Sequence, residues 1–369
     1  MRGLLQFACG LALLTSPVMA MPALARHSTD DPTPITTALM AEERALNIKL
    51  RKPDTWHVLN AKREIYAAAL SRYDRPDAGI SRLDLAYLFW RYGDILRRTG
   101  AFANGEAQIR RALGLLREAL PPADPRLLQC MTYLAGTLRA QDKQEALDLL
   151  HEAAVKYRTI PDLPETDAWT TFEMLGQRLL WAGRPADALP WLEAASMSTD
   201  AKNRSSMEMR RHWAALGKAQ YAMKRYADAH ASFVKGLNLP HGADNSDIVF
   251  GLARAEAQIG RAEDGEARIG AYISAMGHSP RCPAISELND RQRAELTSPP
   301  YAEALTVLSE VMRIGGRPGS ARLCLQIAID GSMRRTFDAG FSEAQRIRIT
   351  RHKSWFAAVV ATNWELARR

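Results

Sequence analysis

A pattern that returns about every 41 residues between positions 83 and 275 is the strongest constraint on how this chain folds. Each copy has an apolar residue beside a small one, a turn residue seven positions later, and then small and large apolar residues four apart. The clearest copy contains Leu175, Gly176, Gly183, Ala188 and Leu192. The first small residues of the five copies are Gly93, Ala135, Gly176, Gly217 and Ala253.

This period predicts stacked pairs of antiparallel helices. Small residues at a fixed position let two helices approach closely, and apolar residues with helical spacing form the stripe that each helix must bury. A single hairpin cannot bury its stripe alone, so five hairpins are expected to stack into a solenoid with a concave face made by the first helices. Residues 34–82 also have helical periodicity and are predicted to form N-terminal capping helices.

The Leu-Gly pair, the turn glycine and the series of small and large apolar residues resemble the tetratricopeptide repeat family. The copies around Gly176 and Gly217 carry this resemblance most specifically. The spacings of 42, 41, 41 and 36 residues exceed the roughly 34 of that family, which implies longer loops or longer second helices. In the fourth copy Lys224 stands where the turn glycine would be.

The resemblance also implies a row of ligand-facing residues on the first helices. The positions that the Leu-Gly stripe leaves unused are mainly aromatic and basic, with Asp94 and Gln177 among them. The predicted partner-binding residues are Tyr87, Trp90, Arg97, Arg98, Arg139, Trp181, Arg211, Lys218, Tyr221, Phe250 and Arg254. Arg and Lys donate to carboxylates and aromatic faces give contact area, so the expected partner is a protein or peptide, acidic or bound by its C terminus. In the alternative interpretation the aromatic residues pack between helices and the arginines are only solvated.

The first 25 residues are typical of a cleavable secretory signal peptide. Arg2 precedes an apolar run at 4–14, and small-x-small cleavage sites follow at 18–20 and 23–25. The run is shorter than the roughly 20 residues that span a bilayer. A periplasmic or secreted protein is therefore predicted, and membrane association is expected only if the segment stays uncleaved.

The charge of the chain favours anionic partners without indicating nucleic acid. Lys and Arg number 49 against 41 Asp and Glu, which gives a net charge of +8. The basic residues are spread along the chain with no block of five or more. A solvated cationic surface and no nucleic-acid partner are the expectations.

Export changes the interpretation of the cysteines, because an oxidising compartment permits disulfides. Removal of Cys9 with the signal peptide leaves Cys130, Cys282 and Cys324. The last two lie on the same side of an apparent domain boundary, so they are the predicted pair, with three free thiols as the alternative. No two cysteines have metal-ligand spacing, and no metal is predicted.

The last part of the chain has a different pattern. Helical register fails after about Ser274, and prolines and glycines predict a linker at 276–297. Large apolar side chains then alternate, before Asp330-Gly331, at Leu323, Leu325, Ile327 and Ile329. Alternation into Asp-Gly favours a β-hairpin, so a small α+β domain is predicted over 298–369.

The order of this stretch is similar to the C-terminal periplasmic domain of TonB-type energy transducers. The shared features are a strand ending at Asp330-Gly331, a second strand, and a helix that closes on Trp364. This similarity implies that the domain binds a partner by pairing with a sheet edge.

No sequence motif indicates an enzyme. The chain lacks Gly-x-Ser-x-Gly, His-Glu-x-x-His, a phosphate-binding glycine loop and Cys-x-x-Cys. We therefore predict no catalysis and no cofactor. The predicted function is an exported tetratricopeptide-type scaffold that binds a protein or peptide in the cell envelope. The alternatives are an accessory of TonB-dependent transport, acting through the C-terminal domain, and an unrecognised envelope hydrolase.

Overall fold

The computed structural model describes residues 37, 38, 41, 56–138, 143–160, 168–240, 245–289, 298–338, 357, 360 and 362. The predicted signal peptide and Arg139 lie outside the described residues, as does most of the chain after 338. Within these described ranges every regular element is a helix, and no helix is both long and apolar enough to cross a bilayer. The predicted mainly helical class is confirmed for this part of the chain.

The helices fall into two compact units, Met1–Pro121 and Pro122–Arg369. The first unit contains α1 (Trp56–Tyr73), α2 (Arg82–Arg98) and α3 (Phe102–Ala119). The second unit contains α4 (Pro125–Thr137), α5 (Lys143–Thr159), α6 (Ala168–Trp181), α7 (Pro185–Met197), α8 (Ser206–Ala222), α9 (Tyr226–Leu237), α10 (Ser246–Gln258), α11 (Ala262–Ala275), α12 (Pro299–Ile314) and α13 (Pro318–Asp338). One-turn 3-10 helices lie at Thr199–Asn203 and Ile285–Glu287.

The predicted helical hairpins are confirmed. The five small residues of the repeat lie one each in α2, α4, α6, α8 and α10, which are the first helices of their hairpins. Each of these helices packs against the second helix that follows it. In the second unit, each first helix also contacts the first helix of the next hairpin, which is the packing of a helical solenoid.

Close helix approach explains why the repeat has a small residue. A Cβ added to Gly176 would lie 2.5 Å from Cγ of Leu192, and one added to Gly217 would lie 2.8 Å from the ring of Phe233. In both hairpins the contacting residue comes sixteen positions after the glycine. A larger side chain would force the two helices apart, because helix packing leaves no space at that point.

The predicted small α+β domain is wrong where the structure describes it. Residues 298–338 form a sixth hairpin from α12 and α13, and Asp330-Gly331 lies inside α13 and not in a β-turn. The apolar side chains that α13 buries have helical spacing: Ala321, Cys324, Leu325, Ile327 and Ala328. The stretch is apolar at nearly every position, so it fits a period of two and a helical period equally well. The similarity to TonB-type transducers loses the hairpin on which it depended.

The sequence does carry a signal for this sixth hairpin. Ser309 is buried in α12, and Gly316, Ala321, Leu325 and Ala328 follow it by seven, twelve, sixteen and nineteen positions. The same offsets separate Gly176 from the turn glycine and the buried residues of its own hairpin. Serine in place of glycine or alanine, and the long connection after α11, concealed this copy of the repeat.

A disulfide and a shared core join the sixth hairpin to the hairpins before it. The disulfide links Cys282 to Cys324, whose Cα atoms lie 4.9 Å apart, and it fastens the segment after α11 to α13. Cys130 is buried and is not disulfide-bonded. One apolar cluster contains buried residues from α10, α11, α12 and α13, with Ile285 packed against it. The described part of the predicted linker therefore packs against a core that is formed by helices before it and helices after it.

The turn between the helices of a hairpin requires a left-handed backbone. Gly100, Gly183, Gly260 and Gly316 all have φ between 72° and 87°. In α8–α9 the corresponding residue is Lys224, with φ of 60°. A residue with a Cβ adopts this conformation at a steric cost that glycine avoids.

Replacing Lys224 by glycine is expected to raise the free energy of unfolding by about 1 kcal/mol, because the left-handed turn loses its steric cost. Urea denaturation followed by circular dichroism measures the change. Lys224→Ala is the matched control, since it removes the same charge but keeps a Cβ, and it is expected to change stability by less than about 0.5 kcal/mol. Equal stabilisation by both variants would attribute the gain to charge and contradict the backbone argument.

Candidate partner-binding face

The first helices of the second unit share a surface that we call the first-helix face. We define it by nine exposed or half-buried polar and aromatic side chains of α6, α8, α10 and α12: Gln177, Trp181, Arg211, Lys218, Tyr221, Asp247, Arg254, Gln258 and Glu310. Successive first helices contact one another, so side chains at similar repeat positions become neighbours across the stack.

Two ion pairs cross this face from one first helix to the next. Nζ of Lys218 in α8 lies 2.9 Å from Oδ1 of Asp247 in α10. Nε of Arg254 in α10 lies 2.7 Å from Oε2 of Glu310 in α12. Two cations predicted to bind a partner are therefore paired with carboxylates of the chain itself.

Tyr221 stands beside the second ion pair. Its hydroxyl lies 3.5 Å from Oε1 of Glu310 and accepts a hydrogen bond, also of 3.5 Å, from Nε2 of Gln258. Burial raises the pKa of the Tyr221 phenol, and the Glu310 carboxylate raises it further. The phenol stays protonated at neutral pH and donates toward the carboxylate, so donors from α8 and α10 converge on Glu310 of α12.

The other predicted residues of the second unit divide between surface and core. Trp181, at the end of α6, is 76% exposed, and Arg211 is exposed near the start of α8. Phe250 is only 3% exposed and its ring packs edge-on against Tyr272 of α11. Phe250 therefore lies in a core that α10, α11 and α12 form together, and its side chain is not part of the first-helix face.

The predicted residues of the first unit lie on α2. Arg97 pairs with Asp94 at 2.6 Å, one turn earlier on the same helix. Tyr87 and Trp90 are half-buried, and Arg98 is exposed. The involvement of these residues in binding stays a prediction.

Sequence reasoning missed Arg178, which connects two first helices. Its Nη2 donates to the backbone carbonyl oxygens of Ala135, at 2.5 Å, and Leu138, at 3.3 Å. These are carbonyls at the end of α4, which have no partner within their own helix. Burial lowers the pKa of Arg178. In the sequence, only its place directly after Gln177 on a predicted first helix indicated a role for Arg178.

Sequence reasoning also missed a buried polar network that joins α6, α7 and α8. Nδ1 of His212 lies 2.6 Å from Oε2 of Glu173, and its Nε2 lies 2.7 Å from Oγ of Ser196. The other carboxylate oxygen of Glu173 accepts a hydrogen bond from Gln177. A hydroxyl, an imidazole and a carboxylate in this order occur in hydrolases. Here the imidazole has no exposed surface, so we interpret the network as structural.

Metal binding has no support in the described geometry. Across the ranges that the structure describes, no group of three or more His, Cys, Asp or Glu side chains is placed to hold a metal ion.

Comparison with known proteins finds likenesses of low identity. No family model matches the chain, and no curated protein matches it. The quorum sensor NprR of B. thuringiensis is 13% identical, with a TM-score of 0.49 over 80% of this chain and 86% of NprR. PilF of Pseudomonas aeruginosa is 16% identical, with a TM-score of 0.47 over 65% of this chain and 92% of PilF. A tetratricopeptide repeat protein of Parabacteroides merdae is 11% identical, with a TM-score of 0.44 over 88% and 98% of the two chains.

The buried network predicts a large difference between two glutamates. Glu173→Ala leaves the buried imidazole of His212 without its acceptor, so it is expected to lower the free energy of unfolding by about 3 kcal/mol. Glu193 is the matched control, because it pairs with Arg225 at 3.0 Å on the surface. Glu193→Ala is expected to cost about 0.5 kcal/mol or less. Urea denaturation of both variants checks this, and similar losses would contradict a special role for the network.

Proposed function

We propose that this chain is an exported scaffold that holds a protein or peptide partner against the first-helix face, without catalysing a reaction. The observation that carries the proposal is the exposure of Trp181. Tryptophan buries a large area on binding, and residues that dominate binding energy in protein interfaces are enriched in it. Trp169, in the same helix, is 4% exposed, so α6 places one indole in the core and presents the other to solvent.

Arg211 gives this face a cation for a partner. It is exposed, and within the described part of the chain its guanidinium interacts electrostatically with Glu208 of the same helix. An exposed guanidinium forms charge-assisted hydrogen bonds with carboxylates at little cost in desolvation. The combination of an indole and a cation suits a partner segment that has both an apolar and an acidic side chain.

Two features support the proposed export. The N-terminal pattern of the sequence is that of a signal peptide, and a disulfide between Cys282 and Cys324 persists in an oxidising compartment. The periplasm or the extracellular space is thus the proposed location.

Trp181→Ala is expected to weaken partner binding by at least about tenfold, because the indole loses its buried contact area. The measurement uses the mature chain as bait in envelope extracts, followed by quantification of the retained protein. Stability is expected to stay the same, since the indole is already solvated in the unbound chain.

Met197→Ala is the matched control, because Met197 is 81% exposed but ends α7, a second helix. It is expected to retain the partner. Equal retention by the Trp181 and Met197 variants would exclude the first-helix face as the binding surface.

A further inference from the structure

The two carboxylates on the first-helix face are placed where the carboxylates of a ligand would bind. Asp247 lies against Lys218, and Glu310 lies against Arg254, each one first helix further along the stack. Both cations were predicted to bind an acidic partner. In the folded chain they bind acidic side chains of their own neighbours instead.

The surroundings of Glu310 define a carboxylate position in detail. One oxygen accepts from Nε of Arg254 at 2.7 Å, and the other lies 3.5 Å from the Tyr221 hydroxyl. Gln258 donates to that hydroxyl from the neighbouring turn of α10. Donors from two different first helices therefore converge on one carboxylate, which is the arrangement of a binding site and exceeds a single surface ion pair.

Both ion pairs are open to exchange. The side chains of Arg254 and Glu310 are 31% and 32% exposed, and those of Lys218 and Asp247 are 47% and 72% exposed. Pairs with this exposure contribute little to stability, because solvent screens them.

We propose that Asp247 and Glu310 are built-in substitutes for two carboxylates of an acidic peptide, which displaces them when it binds to the first-helix face. The inference rests on the proposed function, and it adds the charge of the ligand and the residues that regulate its binding. The substitutes hold Lys218 and Arg254 in position in the unbound chain. They also compete with the ligand, so a weakly acidic segment does not bind through these cations.

Removal of the substitutes tests this competition directly. Asp247→Asn with Glu310→Gln frees both cations while keeping the size of the side chains. The probe is a fluorescein-labelled hexaglutamate peptide, and fluorescence anisotropy at about 0.15 M salt, where the Debye length is about 8 Å, measures its dissociation constant. The double variant is expected to bind about three- to tenfold more tightly than the unmodified chain, which is the range for loss of two exposed competing pairs. A hexaglutamine peptide is expected to bind equally to both.

The matched control is Glu193→Gln with Asp264→Asn. It removes two carboxylate charges, those of Glu193 in α7 and Asp264 in α11, from ion pairs with Arg225 and Arg261, where side-chain exposure is 36% to 52%. The control is expected to leave the affinity for hexaglutamate unchanged within about twofold, since net charge acts only weakly over long distances. Equal tightening in the control would assign the effect to net charge and overturn the proposal.

Further variants keep the test decisive. Glu310→Gln alone is expected to give part of the gain, and adding Arg254→Gln is expected to remove it. Circular dichroism of each variant checks that the hairpins remain folded. An unchanged affinity in folded Asp247→Asn, Glu310→Gln protein would overturn the inference, whereas loss of the envelope partner in Trp181→Ala would still support the proposed function. If the double variant binds hexaglutamate more tightly but Trp181→Ala retains the envelope partner in full, the competition by Asp247 and Glu310 is supported and the proposed function is contradicted.

Discussion

The close approach of two helices at one small residue is the constraint on which the rest of the structure depends. In three hairpins that residue is a glycine, and a Cβ there would come within 2.5 to 2.8 Å of the large apolar residue sixteen positions later. This contact fixes how the second helix crosses the first. Each hairpin then offers its remaining apolar stripe to the next, because neither helix can bury that stripe within the pair. The identity of one residue per repeat thereby determines the stacking of the second unit.

Stacking is also what creates the first-helix face. Lys218, Arg254 and Glu310 are far apart in the sequence, but each lies one position after the small residue of its own first helix. Because successive first helices contact one another, the same position in adjacent repeats becomes adjacent in space. An ion pair between Arg254 and Glu310 is a direct consequence of this register. The residue that follows the small one in each repeat therefore determines part of the chemistry of the face.

The sequence predicts this register well because the register depends on residues within one hairpin. It predicts burial less well because burial depends on how several helices pack together. All five small residues, and the place of Lys224 at the turn, follow from offsets within one hairpin. The core position of Phe250 depends on how α11 and α12 pack over α10. The spacing of residues within one repeat does not predict that packing. The link between Glu173 and His212 spans two hairpins, so no window of one repeat reveals it. The sixth hairpin was concealed for a different reason, since its apolar stretch satisfies strand and helix periods together.

Solvent exposure distinguishes two kinds of polar contact in this molecule, the buried one between Glu173 and His212 and the exposed one between Arg254 and Glu310. Glu173 and His212 exclude water, so separating them leaves a polar group without a partner, and their contact holds three helices in one arrangement. Arg254 and Glu310 have almost the same separation between their charged atoms but keep about a third of each side chain in solvent. Water and ions compensate either group when the other leaves, so that contact exchanges at little cost. This chain places the buried contact inside the stack and the solvent-exposed contact on its first-helix face.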